Sequence, residues 1–316
     1  MKAFYFASYG GPEVMQYGDI PDPVADPGKV IVEVRAVSLN PLDYKIRSGK
    51  FRLLTGGGFP KVPGADFAGT VKQGEGFRPG DRVYGALLTM FGKQGALAGR
   101  IAVDPKGLRP MPDGMSFEEA ASLPVAGLTA LAGWRKAGDI GGAEVLLTGA
   151  TGGVGHMALQ VASARGAAVT AVCSAPNAET ARRLGARRVL DYARTHPLEE
   201  GRMYRVIFDA AASLPPGRAM LNLERGGIYL STLFTPGVAL ATLPRQLLTG
   251  RRAQAANMRA RPADYEEMEQ LWRAGTLKPL IEHIYPLDRA ADAFAVLEHG
   301  KVRGKVIVTL SSGGAA

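Results

Sequence analysis

The chain has 316 residues, 46% hydrophobic and 21% charged, with a net charge of +9 and a single cysteine, Cys173. That length exceeds one compact core and fits two domains, and one cysteine excludes both a disulfide framework and a four-cysteine zinc site. No apolar run of about 18 residues suggests a transmembrane helix, and the basic residues, such as Arg182-Arg183 and Arg187-Arg188, lack the aromatic interleaving of a nucleic-acid reader.

The opening Met1-Lys2-Ala3-Phe4-Tyr5-Phe6 runs straight into a strand-like stretch. It lacks the apolar segment and cleavage site of a signal peptide, so a cytoplasmic location is expected, with no membrane partner. Strand signals follow at residues 30–37, 65–71 and 81–84, separated by turns such as Asp26-Pro27-Gly28 and Arg78-Pro79-Gly80. This part reads as an irregular, mostly β domain. At Ser116 the pattern changes: Ser116-Phe117-Glu118-Glu119 has the spacing of a capping box, which starts a helix.

From there strands and helices alternate. Strands are predicted at 144–148, 168–173, 189–192, 206–209 and 228–231, and helices at 153–165 and 179–184, the second stopped by Gly185. Such alternation predicts an α/β class domain, a doubly wound Rossmann domain with a parallel sheet. Amphipathic helices at 262–274 and 287–297 and a strand at 305–310 form a tail too small to be a domain. The tail is expected to rejoin the first half, giving domains of 1–120 with 257–316, and 121–256.

The strongest chemical signal is Thr148-Gly149-Ala150-Thr151-Gly152-Gly153-Val154-Gly155, between an apolar strand and an Ala-rich helix. A pyrophosphate must approach the backbone closely, so side chains must be small, and a helix N-terminus offers free N–H groups. Thr151, Gly152, Gly153, Val154 and Gly155 are therefore expected to bind a dinucleotide. NAD sites place an acidic residue at the end of the second strand. Here that strand runs into Ser174-Ala175-Pro176-Asn177, with no carboxylate until Glu179. Ser174 and Asn177 can donate to a 2′-phosphate, and Tyr192 at the end of the next strand can add its hydroxyl, so NADPH is the expected cofactor. The alternative for Ser174 and Asn177 is an ordinary role in capping and turns. The four histidines, His156, His196, His283 and His299, show no metal-ligand spacing.

Several motifs occur in a fixed order: Asn40-Pro41-Leu42-Asp43-Tyr44-Lys45, Gly64-Ala65-Asp66-Phe67-Ala68-Gly69, Gly80-Asp81-Arg82-Val83-Tyr84-Gly85 and Leu123-Pro124-Val125-Ala126-Gly127-Leu128-Thr129-Ala130. Leu190-Asp191-Tyr192, Pro286-Leu287 and Gly304-Lys305-Val306 follow the loop. Together they resemble the medium-chain dehydrogenase/reductase superfamily, in its zinc-free quinone oxidoreductase and enone reductase branch. The resemblance implies that the β-rich half is a GroES-like catalytic domain. Zinc relatives carry a Cys before an Asp, then Gly-His-Glu. This chain has Asn40 before Asp43, and Gly64-Ala65-Asp66. An amide and a methyl do not replace a thiolate and an imidazole, so no metal is expected.

What the resemblance implies is direct hydride transfer from NADPH to a quinone or an α,β-unsaturated carbonyl, with carbonyl polarisation left to hydrogen bonds. It places Asn40 beside the nicotinamide and makes Tyr44 a substrate contact or proton donor; the alternative for Tyr44 is an amphipathic wall residue only. Thr129 is expected to line the cofactor crevice and Leu233 and Phe234 to border the nicotinamide and substrate; Met90 and Phe91 fall in a loop that forms either an apolar lid against the substrate or part of the core. A homodimer through the nucleotide domain is implied by analogy. One departure is Pro176, where relatives often carry a charged clamp for the 2′-phosphate; Arg182 is a possible substitute. The competing expectation is a nucleotide-binding structural or regulatory protein of the same fold, without turnover.

Overall fold

A computed structural model describes residues 1–24, 26–87, 89, 94–233, 235–258, 260–300 and 302–311. Met90 and Phe234, expected at the substrate, and Phe91 lie outside the described residues. The chain divides into two units, Met1–Val125 with Ile281–Ala316, and Ala126–Leu280.

In chain order the first unit holds β1 (Lys2–Phe6), β2 (Met15–Asp19), β3 (Val30–Leu39), α1 (Pro41–Arg47), α2 (Arg52–Thr55), β4 (Asp66–Gln73), β5 (Arg82–Ala86), β6 (Arg100–Val103), β7 (Leu108–Pro110) and α3 (Phe117–Ser122). The capping box at Ser116 forms as read: Glu119 N–H donates to Ser116 Oγ at 3.1 Å and Ser116 N–H to a Glu119 oxygen at 3.0 Å. Helix α4 (Pro124–Ala137) leads into the second unit. There follow β8 (Glu144–Thr148), α5 (Gly155–Ala164), β9 (Ala168–Cys173), α6 (Ala178–Arg183), β10 (Arg188–Asp191), β11 (Tyr204–Asp209), α7 (Pro216–Ala219), β12 (Leu223–Ser231), α8 (Pro236–Thr249), β13 (Arg252–Ala255) and α9 (Pro262–Arg273). The chain then returns to the first unit with β14 (Ile281–Pro286), α10 (Ala290–His299) and β15 (Lys305–Thr309).

The first unit is an irregular sheet in the order β14-β15-β3-β4-β5-β7, with β6 also on β3 and a separate β1-β2 hairpin. Strand β3 is its spine. Val30, Val32, Val34, Val37 and Leu39 are buried with Phe67, Val71, Val306 and Val308. Phe294 of α10 closes this core by stacking on Phe4, centroids 6.2 Å apart.

The second unit is a six-stranded sheet in the order β10-β9-β8-β11-β12-β13, every pair parallel. Every residue of β9 is buried. That is the continuous apolar run expected of a strand covered on both faces. Strand order reverses at β8, whose neighbours are β9 and β11, and ligands of such sheets bind beyond the strand C-termini at that switch point.

The return comes at Ile281, not at 257 as the sequence suggested. The reason is α9. Its buried Asp264 pairs with Arg135 of α4, and Met268 packs on Gly127, where a Cβ would meet its sulfur at 2.5 Å. Those contacts hold α9 to the second unit. Helix α5 also starts two residues later than predicted, at Gly155, because residues 151–154 form a turn.

Candidate functional site

The nucleotide loop is built at the switch point. Strand β8 ends at Thr148, and the chain turns through Gly149–Val154 into α5. A Cβ on Gly155 would lie 2.0 Å from Gly149 O and 2.7 Å from Gly149 C, so only glycine lets the helix start against the loop. Gly152 N–H closes the turn onto Gly149 O at 2.9 Å. Among the described residues, Gly153 and Val154 N–H donate to no protein group. They stand at the positive end of α5, a cradle suited to pyrophosphate. Thr151 is buried in the turn, whereas Gly152, Gly153 and Val154 are partly exposed.

Neighbouring strand ends complete the rim. Thr148 Oγ1 donates to buried Asp209 at 2.5 Å, and Tyr229 OH donates to the same carboxylate at 2.9 Å. Ser213 and Leu214 N–H add bonds of 3.1 and 3.0 Å. Asp209 thereby ties the ends of β8, β11 and β12 together and fixes the loop after β11. Burial and that carboxylate push the Tyr229 phenol up, so it remains a donor. Past β12, Leu233 is half exposed, while Ser231 Oγ donates to its carbonyl at 3.1 Å. Thr129 is buried on α4.

At the ends of β9 and β10, Cys173 and Asp191 lie side by side, so Ser174 and Tyr192 leave adjacent strands. Asn177 donates to Ser174 Oγ at 3.2 Å, and its N–H to Ser174 O at 2.9 Å. Both residues thus serve a turn, as one sequence reading had it, while each side chain stays partly exposed. Arg182 is exposed on α6, 3.7 Å from Glu179; burial and Asp191 push the Cys173 thiol up, and the Arg182 charge partly offsets this. Asp191 and Arg194, 3.7 Å apart, complete this cluster. The sequence showed Asp191 only as part of the Leu190-Asp191-Tyr192 motif and did not single out either as a site residue, although a carboxylate ending a strand is a visible signal.

A second cluster lies in the first unit. Asn40 follows β3 and caps α1. Its Nδ2 donates to Asp66 Oδ2 at 2.9 Å and to Ser38 O at 3.3 Å, and its Oδ1 accepts from Lys305 Nζ at 2.8 Å. Lys305 opens β15 and stands 3.6 Å from Asp66, with both side chains almost wholly buried. Asp66 also accepts from Val125 N–H at 2.9 Å. Asp43 accepts from Asn40 N–H at 2.8 Å and from Gly64 N–H at 3.0 Å. Gly64 has φ +97°, and a Cβ there would strike Val37 at 2.8 Å. The sequence singled out Asn40, and the structure shows that its amide protons are already spent. It has none left to polarise a carbonyl. Lys305 was missed as a site residue, though a lysine opening the apolar stretch Lys305–Thr309 was the available signal.

Burial pushes Asp66 up and Lys305 down, each partly offset by the other's charge. Burial raises Asp43 to about 6. The folded state then holds the Asp43 proton more tightly than the unfolded chain does. Its stabilising contribution is present below pH ~4 and is lost as pH rises through ~6, by up to about 3 kcal/mol. Hydrogen exchange of β3 should therefore show more protection at pH 5 than at pH 7, and Asp43→Asn should flatten that slope. An unchanged slope in the variant would assign it elsewhere. Tyr44 sits on α1 against the first unit's core, and burial together with Glu298 raises its phenol, which keeps its proton.

Comparisons with known proteins identify the family and the fold. Residues 26–113 match the alcohol dehydrogenase GroES-like domain family, and residues 184–308 match the family described as zinc-binding dehydrogenase. The chain is 35% identical to a chloroplast envelope quinone oxidoreductase homolog of Arabidopsis thaliana, over 98% of each chain. It is 32% identical to the chloroplastic NADPH-dependent alkenal/one oxidoreductase of the same plant, over 98% of this chain and 79% of that one. The solved quinone oxidoreductase of Coxiella burnetii superposes with a TM-score of 0.91 at 28% identity, covering 98% and 99%.

The chain belongs to the quinone oxidoreductase branch of the medium-chain dehydrogenase/reductase superfamily. It is an NAD(P)H-type oxidoreductase that acts on a small molecule, with a GroES-like and a Rossmann-type domain.

Proposed function

We propose that the protein reduces quinones or α,β-unsaturated carbonyls with NADPH and without zinc. The observation that carries this reading is the open backbone cradle before α5, beside a β9 end that offers Ser174 and Asn177 in place of an acidic residue. Names of relatives support the substrate class, among them a quinone oxidoreductase homolog and an alkenal/one oxidoreductase.

The cofactor, when bound, supplies the hydride. Gly153 and Val154 N–H bind its pyrophosphate. Ser174, Asn177 and Tyr192 hold the 2′-phosphate, with Arg182 supplying the charge that Pro176 lacks. Ser174→Asp places a carboxylate against that phosphate. It should raise KM for NADPH at least tenfold while changing KM for NADH less than threefold, at least about 0.7 kcal/mol of discrimination. Equal losses would remove Ser174 from the selectivity site.

The donor set argues against a metal. Asn40 Oδ1 and Asp66 already face the Lys305 ammonium, which repels a second cation, and residue 65 offers only a methyl. Zinc requires thiolate, imidazole or carboxylate ligands. Asn40, lacking a free amide proton, acts by shaping the first unit's site and not by polarising substrate. Tyr44 keeps its proton and is the proposed donor to the reduced substrate. Tyr44→Phe should lower kcat for enones about 100-fold with little change in KM for NADPH. An unchanged kcat would pass the proton to water.

The active form proposed is a homodimer. Edge strand β13 and the exposed Leu240 and Leu248 of α8 give the second unit an apolar flank suited to it. Cytoplasmic residence completes the reading. The deciding assay is NADPH oxidation with quinones and enones after zinc removal.

A further inference from the structure

His156 follows the last glycine of the loop and has no exposed surface. Its ring bonds in two directions. Nδ1 lies 2.8 Å from Gly152 O, and Nε2 lies 3.1 Å from Leu280 N. A carbonyl cannot donate and a backbone amide cannot accept. Nδ1 therefore carries the proton and Nε2 presents its lone pair, so the site is matched to one neutral tautomer. One helical turn on, Gln160 repeats the pattern. Its amide donates to Lys278 O and accepts from Lys278 N–H, both at 3.0 Å. Two side chains of α5 thus clasp residues 278–280, and the one nearer the loop also grips the loop itself.

The grip has a geometric consequence. Gly152 O receives both His156 N–H, at 3.0 Å, and the ring. Because the peptide is planar and trans, its carbonyl and the following N–H point in opposite directions. A carbonyl pinned along α5 turns the Gly153 N–H out of the helix end. That N–H and its neighbour on Val154 are loop donors without a protein acceptor among the described residues. Glycines at 152 and 153 make this peptide plane easy to rotate, and the buried ring adds a second bond to the one by which His156 N–H holds its carbonyl.

We propose that His156 is a positioning residue of the cofactor site, whose Nδ1–H bond to Gly152 O orients the Gly153 amide toward the pyrophosphate. This rests on the reading that the loop binds NADPH. Two amide variants separate the two bonds of the ring, because the Asn amide nitrogen falls near Nδ1 and the Gln amide oxygen near Nε2. His156→Asn retains the donor to Gly152. His156→Gln retains the acceptor for Leu280 N–H.

The test is NADPH binding by fluorescence titration, KM for NADPH and kcat at saturation, with thermal unfolding of each variant. His156→Asn should bind NADPH within about threefold of wild type, and His156→Gln should lose about tenfold or more, with kcat at saturating NADPH little changed in both. Equal affinity in both variants, whether retained or lost, overturns the proposal, as does loss of kcat in proportion to stability. If His156→Gln does not fold, its cofactor affinity carries no weight, and His156→Asn decides alone: wild-type affinity supports the loop bond and a tenfold loss refutes it. Failure of the wild type to bind NADPH would instead defeat the functional reading.

Discussion

Lys305→Met should destabilise the first unit by about 3–5 kcal/mol, the cost of removing one partner from a buried ion pair. The substitution is close in volume, so the loss is electrostatic. It leaves the Asp66 carboxylate and Asn40 Oδ1 facing an apolar chain, inside a core where the ammonium had been 2.8 Å from the amide oxygen. Two buried carboxylates, Asp43 and Asp66, then share the cluster without a counter-ion. Both tryptophans, Trp134 and Trp272, lie in the second unit, so their fluorescence does not report this loss. Hydrogen exchange in β3 and β15 does. Adding Asp66→Asn to Lys305→Met should recover at least ~1 kcal/mol, since neighbouring charges are not additive. Additive losses would mean that the pair contributes no coupling and that the cluster is held by packing alone.

Gly155→Ala should lower NAD(P)H affinity at least about 100-fold and cost about 1–3 kcal/mol of stability. The added methyl would meet only backbone: Gly149 O at 2.0 Å, Gly149 C at 2.7 Å and Ala150 Cα at 3.0 Å. No flexible side chain can move aside. Either α5 slides away from the sheet or the loop shifts by about an ångström, and both misalign the amides that face the pyrophosphate. Gly99→Ala is the control, because its Cβ would find nothing nearer than 3.6 Å. Titration with NADPH reads both. Affinity in Gly155→Ala within threefold of wild type would show that the cradle does not depend on this contact.

These two positions mark what the sequence could and could not show. Gly155 was legible because its reason is local: a strand, a glycine-rich turn and an Ala-rich helix stand consecutively in the chain. Strands β8 and β9 matched their predicted ranges for the same reason, since continuous apolar runs of strand length need no distant partner. Helix α8 was not foreseen, because Pro244 interrupts the pattern that would have announced it. Strand β13 escaped notice because Arg252-Ala253-Gln254-Ala255 has no β-branched or aromatic residue; its partner β12 makes it a strand. The end of the second unit was misplaced because Met268 and Asp264 of α9 find their partners more than 100 residues earlier.

The site divided in the same way. Asn40 was visible as a substitution at a motif position, but its occupation was not. The lysine that donates to its Oδ1 lies 265 residues away and reaches it through the pairing of β15 with β3. His156 was read only as one of four histidines without metal-ligand spacing. Only the fold brings Leu280 to its far nitrogen. Residue types and local spacing therefore identify the reagent, and long-range pairing decides how each side chain is used.

The most direct test of metal-free reduction uses protein stripped by chelation and assayed for zinc. The stripped enzyme is mixed with NADPH and a panel of quinones and α,β-unsaturated carbonyls, and loss of the reduced nicotinamide absorbance is followed. Undiminished NADPH oxidation with at least one quinone or enone, at far below one zinc per chain, is the predicted result. Activity that vanishes with the metal and returns with zinc, or no oxidation of NADPH by any member of the panel, would contradict it.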